Sequence, residues 1–163
     1  MSRSRGTFWA IGLLALILGG LGILSLLSDK APGPVAQASA DTIVVHKSPT
    51  CGCCGKWVEH LKAEGFAVEV DDEAEMSVVK SRLGVPGRLA SCHTATVGGY
   101  LIEGHVPVAD IKRLLQEKPK AQGLAVPGMP VGSPGMEMGD RRMPYETLLF
   151  NGDETTTYAR HGE

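Results

Sequence analysis

Beyond residue 41 the chain alternates short apolar runs with stretches whose apolar residues recur every three or four positions, and turn residues separate the two patterns. "TIVVH", residues 42–46, is β-branched and short, which suits a strand buried on both faces. Ser48 and Pro49 turn the chain. From Cys53 the period changes: Trp57, Val58 and Leu61 fall on one side of a helix, Lys56, Glu59, Lys62 and Glu64 on the other, and Gly65 ends it. "FAVEV", residues 66–70, alternates as a second strand. Asp71 and Asp72 then cap a helix with Met76, Val79 and Leu83 on one face and Gly84 at its end. After the loop "VPGRLAS", the run "CHTATVGGYLIEG" holds two strands around Gly98-Gly99, a pair that supplies the positive φ angles of a tight hairpin. A last helix, residues 107–117, has Pro107 in its first turn and gathers Val108, Ile111, Leu114 and Leu115 on one side. The order βαβαββα implies an α/β fold: a parallel pair joined by a right-handed helical crossover, an antiparallel hairpin in the same sheet, and helices on both faces.

Two stretches break this pattern. Residues 8–27, "FWAIGLLALILGGLGILSLL", are apolar on every face and carry no charge, which is long enough to cross a bilayer as a helix. A core helix of that kind would need more protein around it than this chain provides. Arg3 and Arg5 precede the run and no arginine follows soon after, so the N-terminus is expected in the cytoplasm and the rest on the far, periplasmic side. Residues 1–27 thus read as a membrane anchor helix or a signal peptide. The small-residue sites Ala36-Gln37-Ala38 and Ala38-Ser39-Ala40 lie farther from the run than a signal peptidase site usually does, which favours a retained anchor. Residues 28–41, "SDKAPGPVAQASAD", form a flexible tether. At the other end, residues 119–163 are rich in Gly, Pro and Met and finish in "YETLLFNGDETTTYAR", where Asn151-Gly152 reads as the turn of a hairpin between two short strands. With too few apolar residues to fold alone, this C-terminal extension is expected to pack on the domain formed by residues 42–118 or to be partly mobile.

A chain of 163 residues with 43% hydrophobic residues suits one folded domain plus extensions. Its net charge of -2, without a cluster of Lys and Arg, excludes nucleic acid as a partner.

The chemistry concentrates in "SPTCGCCGKW", residues 48–57, where Cys51, Cys53 and Cys54 fall within four positions. Two thiols at this spacing suggest a disulfide switch; a third, adjacent to the second, is surplus to that. Thiols at a helix N-terminus feel the positive end of the peptide dipole, which favours the thiolate, the form that binds metal. The strand, cysteine loop and helix resemble a thioredoxin or glutaredoxin-type domain over residues 42–118, with Cys51-Gly52-Cys53-Cys54 where that family keeps its reactive pair. The resemblance implies that Cys92, at the start of the third strand, lies beside the first helix, so that all four cysteines converge. It departs at one place. Thioredoxins set a cis-proline before the third strand to line a groove for substrate disulfides, and here Cys92 and His93 take that place, which argues against dithiol exchange with protein substrates.

Four converging thiolates repel one another, and bound cations relieve that repulsion. Adjacent helical residues point about 100° apart, so Cys53 and Cys54 are better placed to bridge different ions than to share one. Soft thiolates without a companion carboxylate select Cu(I) or Zn. Bridging thiolates fit a polynuclear Cu(I) cluster, whereas structural zinc sites usually pair two separated Cys-x-x-Cys knuckles and only one such pair is present. Three other readings remain. Two disulfides are the default for an even count in an exported protein, although three cysteines in one turn close almost no loop. A thiol-disulfide oxidoreductase would use Cys51 and Cys54 and leave Cys53 idle. A structural zinc-binding module would take the same four thiols.

"CGCCGKW", "SCHTATV", "YLIEGHVP" and "GLAVPGMPVGSPGME", in this order, resemble the exported CopG-type family found with copper-resistance systems, over residues 42 to about 150. The resemblance implies a thioredoxin-like domain whose Cys51, Cys53, Cys54 and Cys92 hold a multinuclear Cu(I)-thiolate cluster. It also implies a role in Cu(I)/Cu(II) interconversion during detoxification, and so a possible copper oxidoreductase. Copper ions, copper-efflux or copper-carrier proteins, and the membrane through the N-terminal helix are the partners such a chain implies.

Of the five histidines, His93 and His105 stand out. His93 follows Cys92 and His105 sits in the turn before the last helix, so each is a candidate for supporting a thiolate or for ligating Cu(II), or else is structural. His46 reads as a strand end, His60 as a solvated helix position and His161 as part of a frayed terminus. Met129, Met136, Met138 and Met143 offer thioethers to Cu(I), Met136 and Met138 first, although loop packing explains them as well. Lys47 and Lys56 flank the cysteine loop and offset its charge or simply aid solubility.

Overall fold

A computed structural model describes residues 42–163. The apolar run 8–27 and the tether 28–41 lie outside the described residues. Among the described residues no helix is long and apolar enough to cross a membrane.

Ile43–Lys47 (β1) runs through a cysteine loop into the helix Gly52–Ala63 (α1), which crosses over to Val68–Asp72 (β2), parallel to β1. Met76–Leu83 (α2) and a single 3-10 turn, Gly87–Leu89, lead to Thr94–Val97 (β3), antiparallel to β1 on its other side. Gly98 and Gly99, with φ of 55° and 84°, turn β3 tightly into Tyr100–Glu103 (β4), conformations that side chains resist. Val108–Glu117 (α3) follows, and then Gly123–Ala125 (β5), Tyr145–Asn151 (β6) and Glu154–His161 (β7). The strands make one seven-stranded sheet in the order β2-β1-β3-β4-β5-β6-β7.

Alternation along the strands divides the core between the two faces. Ile43, Val45, Ala95, Val97, Ile102 and Leu124 meet Trp57, Val58 and Leu61 of α1 and Val108, Ile111 and Leu114 of α3. On the opposite face Leu101, Ala125 and Phe150 meet Val85, Leu89 and the end of α2 at Leu83. Helices therefore cover both faces. In α1 the buried set Cys54, Trp57, Val58 and Leu61 has the i, i+3, i+4, i+7 spacing of a single stripe, and each fully buried large side chain contributes about 1.5–3 kcal/mol.

Within the fold the structure departs from the sequence expectations in several places. First, β1 is fully buried on one face only, because α2 buries a single side chain, Val79, and leaves Val44 half-covered. Second, Asp71 and Asp72 belong to the exposed edge strand β2, where charge blunts edge-to-edge pairing, and Glu75 is the N-cap of α2. Third, residues 119–163 extend the sheet: β5 pairs in parallel with β4 and buries Leu124 and Ala125, while β6 buries Phe150. Fourth, the expected hairpin is β6–β7, and its turn is Gly152-Asp153 between the paired Asn151 and Glu154. His161 is not frayed there: its Nε2 lies 2.9 Å from Asp110 Oδ2 on α3, and its ring stacks on Tyr145.

Candidate metal centre

The end of the sheet where β1 leaves and β3 begins collects the sulfur atoms. Cys51 is the N-cap of α1 with extended backbone (φ -76°, ψ 97°), and no side chain caps the helix. One turn of helix then carries Cys53 and Cys54, and Cys92 arrives just before β3, which is hydrogen-bonded beside β1. The sulfurs of Cys51, Cys53, Cys54 and Cys92 all lie within 4.8 Å of one another. Cys54 is buried and the other three are half-buried, so the group opens to one side.

Two of the four thiols are not free. Cys51 and Cys54 form a disulfide, a spacing at which an α-helical start brings the Cα atoms to 5.4 Å, inside the range a disulfide spans. This corrects the expectation of four thiolates: the four-sulfur donor set exists in full only after that pair is reduced. Cys53 and Cys92 remain free, and Cys53 Sγ lies 3.5 Å from Cys51 Sγ.

Imidazoles flank Cys92. His105 Nε2 lies 3.0 Å and His93 Nδ1 3.3 Å from its sulfur. His105 Nδ1–H donates to the carbonyl of Pro134 at 2.8 Å, which leaves the Nε2 lone pair directed at Cys92. Burial holds His105 below the usual imidazole range, against the opposing pull of the Pro134 carbonyl and the Glu137 charge. His93 is fully buried, with its ring 4.4 Å from the Trp57 ring. Burial first, then the His105 and Lys80 charges, depress it well below the ordinary value. Its Nε2 is buried without any hydrogen-bond partner. The Cys92 thiol is pushed up to about 12 by burial and by the neighbouring Cys53, so without metal it keeps its proton. The helix-dipole argument for easy thiolates does not reach Cys92, which sits on a strand entry.

Three elements hold this arrangement. Trp57 Nε1–H donates to the Val106 carbonyl at 2.9 Å and ties α1 to the His105 turn. Fully buried Glu103 accepts from the Ser91 backbone N–H and the Thr94 hydroxyl, both at 2.6 Å, and thereby brackets Cys92 and His93 from both sides; Lys80 pairs with it at 2.6 Å. The segment 130–138 closes over the first turn of α1, where Gly135 (φ +85°) lies so close that a Cβ would meet the Cys53 carbonyl at 2.7 Å and Trp57 N at 2.9 Å. Glu137 in that segment accepts from Gly135 N–H and pairs with His60 at 2.8 Å, so His60 is not merely solvated. Met138 is exposed with its sulfur 3.8 Å from Arg141, and Met136 is half-buried with its backbone closing the turn onto Gly132 and Ser133. Lys47 turns to Asp72.

The parts that residue pattern alone missed are Glu103, Lys80, the Pro134 carbonyl and Gly135. The one visible signal was "VGSPG", a glycine-proline cluster of the kind that permits close backbone approach.

The fold and site together define an α/β protein with a cysteine cluster, flanked by imidazoles, that is capable of metal binding. Residues 89–136 match a family model described as a protein of unknown function, DUF411. Two solved structures, titled copper resistance protein copG in forms 1 and 2, are each 49% identical to the chain with a TM-score of 0.71. The alignments cover 76% of this chain and 99% of form 1, and 74% of this chain and 98% of form 2. No curated protein matches the chain. The chain belongs to the CopG family of copper resistance proteins.

Proposed function

We propose that this is an exported copper-binding protein of copper resistance that holds Cu(I) through Cys51, Cys53, Cys54 and Cys92, as a polynuclear thiolate cluster, and acts by interconverting Cu(I) and Cu(II). The observation that carries this reading is the convergence of four sulfurs within 4.8 Å, with no carboxylate among them, since such a soft donor set prefers Cu(I). The order β1-α1-β2-α2-β3-β4-α3, with the cysteines at the first strand–helix junction, supports a thioredoxin-like core carrying a C-terminal extension. The arginines before the apolar run 8–27 support a periplasmic location, anchored or released, where copper-efflux or copper-carrier proteins are the partners.

The Cys51–Cys54 disulfide favours a second reading, a thiol-disulfide oxidoreductase. Anaerobic titration of the reduced protein with Cu(I) and with Zn(II) separates the two, and also separates a structural zinc module. Uptake of more than one Cu(I) per chain, reduced by either Cys53→Ser or Cys92→Ser, is expected. One Zn(II) per chain taken in preference to Cu(I), or disulfide turnover that survives both substitutions, would end the copper reading.

A further inference from the structure

We infer that residues 131–143 form a strap that lifts off α1 as one body, latched by His60 to Glu137, and that its release sets how fast copper leaves the site. The inference rests on the copper reading above and adds a regulating part to it.

The strap keeps its own shape. Met143 N–H donates to the Val131 carbonyl at 2.9 Å and draws its two ends together, as in a compact surface loop with a narrow neck. Inside it, Gly132 N–H donates to the Met136 carbonyl at 3.0 Å, Met136 N–H to the Ser133 carbonyl at 2.8 Å, and the Arg142 guanidinium to the Gly139 carbonyl at 2.9 Å. One edge is seated and the other is free: Ser133 and Gly135 are buried against the domain, while residues 137–142 are exposed. Among the described residues, two hydrogen bonds tie the strap to the domain beyond its own neck. His105 Nδ1–H donates to the Pro134 carbonyl at 2.8 Å, and His60 Nε2 meets Glu137 Oε1 at 2.8 Å.

The second tie is the weaker one and works as the latch. Its side chains are 46% and 42% exposed, and it borders an open groove of about 310 Å³ lined by Lys56, Glu59, His60, Ala63 and Glu137, so water competes for both partners. The same Glu137 oxygen also accepts from Gly135 N–H at 2.9 Å. The latch is thereby joined to the residue that lies on the Cys53 carbonyl and the Trp57 backbone, and through its neighbour Pro134 to the His105 ring. When the strap lifts, the carbonyl that orients His105 leaves and the cover over the first turn of α1 goes with it. Copper held at that turn is therefore released no faster than the strap opens, the gating role of a small lid.

The test loads the reduced full chain with Cu(I) anaerobically and follows its transfer to a saturating Cu(I) chelator, bathocuproine disulfonate, where the first-order rate reports opening. His60→Ala and Glu137→Gln should each speed release about two- to fivefold, fivefold being about 1 kcal/mol, the upper value for an exposed pair. The double variant should be no faster than either single one, since both break the same contact. His60→Arg, which restores a cation opposite Glu137, should return release to the parent rate or slower. Lys112→Ala, which breaks the similarly exposed pair with Glu64 away from the strap, should leave the rate unchanged. In the metal-free chain, hydrogen exchange at the Gly135 amide should rise by the same factor in His60→Ala. Unchanged release in both single variants, an equal acceleration by Lys112→Ala, a double variant that multiplies the two single effects, or unchanged Gly135 exchange overturns the inference. A parent chain that takes up no Cu(I) sinks the copper reading instead, and the Gly135 exchange still decides whether the strap lifts.

Discussion

Two buried polar clusters lie on either side of Gly104, and they differ in how completely their atoms are partnered. On one side Glu103 receives the Lys80 ammonium, the Ser91 N–H and the Thr94 hydroxyl, at 2.6 Å each. On the other, His105 and His93 crowd a protonated thiol and one ring nitrogen of His93 has no partner. A completed network in a low-dielectric interior fixes geometry, and leaving it half-made is costly. An incomplete one costs stability unless another species completes it. The first cluster is accordingly scaffold and the second is left open, although the two are two residues apart in sequence. The Asp110–Thr147–His161 group at the first turn of α3 is of the first kind: Thr147 donates to Asp110 at 2.7 Å, His161 lies beside it at 2.9 Å, and the group ties the last hairpin to α3.

The largest effect should come from opening the scaffold. Glu103→Ala leaves Lys80 without its counter-charge and two further donors unpaired, and loss of one partner from a buried pair costs about 3–5 kcal/mol. Denaturant unfolding of the metal-free protein reads this directly. A loss under about 1 kcal/mol would mean that Glu103 is no better committed than the imidazoles beside it. Gly135→Ala comes next, because φ of +85° disfavours any side chain and the new Cβ meets backbone at the start of α1. About 2 kcal/mol is expected from strain and overpacking, together with displacement of Pro134 from His105. A chemical-shift change at the His105 ring, absent in a Gly139→Ala control whose Cβ meets open space, would mark the second effect.

Residue pattern was informative where one face of one element decides the outcome. The Trp57-Val58-Leu61 stripe, the Gly98-Gly99 turn and the α3 stripe through Ile111 and Leu114 each declare themselves within a dozen residues, and each is found in the structure. The convergence of Cys92 with the helix cysteines came only through resemblance to a fold, since nothing local to residue 92 says which strand will lie beside β1. The disulfide was visible as one pairing among several, since spacing alone permits it without requiring it. The tail was legible only at its final hairpin, β6–β7. Residues 119–163 hold too few apolar residues to fold alone, yet β5 needs only three residues, Gly123–Ala125, to continue the sheet, because its neighbours supply the rest of the burial. The Pro134 carbonyl that orients His105 is a backbone group, and beyond the "VGSPG" cluster nothing in the sequence marks which side chain it meets.

The smallest change in stability should come from the buried residue that the fold partners least completely, His93. One ring nitrogen of His93 lacks a partner and the other meets the Cys92 sulfur, a weak partner that also has His105, so His93→Leu, an apolar replacement of similar size, should alter unfolding of the metal-free protein near pH 7.5 by less than about 1 kcal/mol in either direction. Acidification should then separate variant from parent. The His93 pKa is depressed in the folded protein, while the unfolded chain takes up a proton near pH 6.5. The unfolded state therefore binds more protons below that value, and the parent loses stability as pH falls, by up to about 1.4 kcal/mol per pH unit from this residue. Above about pH 7 the contribution is fully present and the two curves should run parallel. His93→Leu removes this dependence and should overtake the parent by pH 5, while Glu103→Ala, damaged at every pH, should not. Parallel curves for parent and His93→Leu down to pH 5 would mean that His93 is already satisfied inside the fold, which would place it with the scaffold.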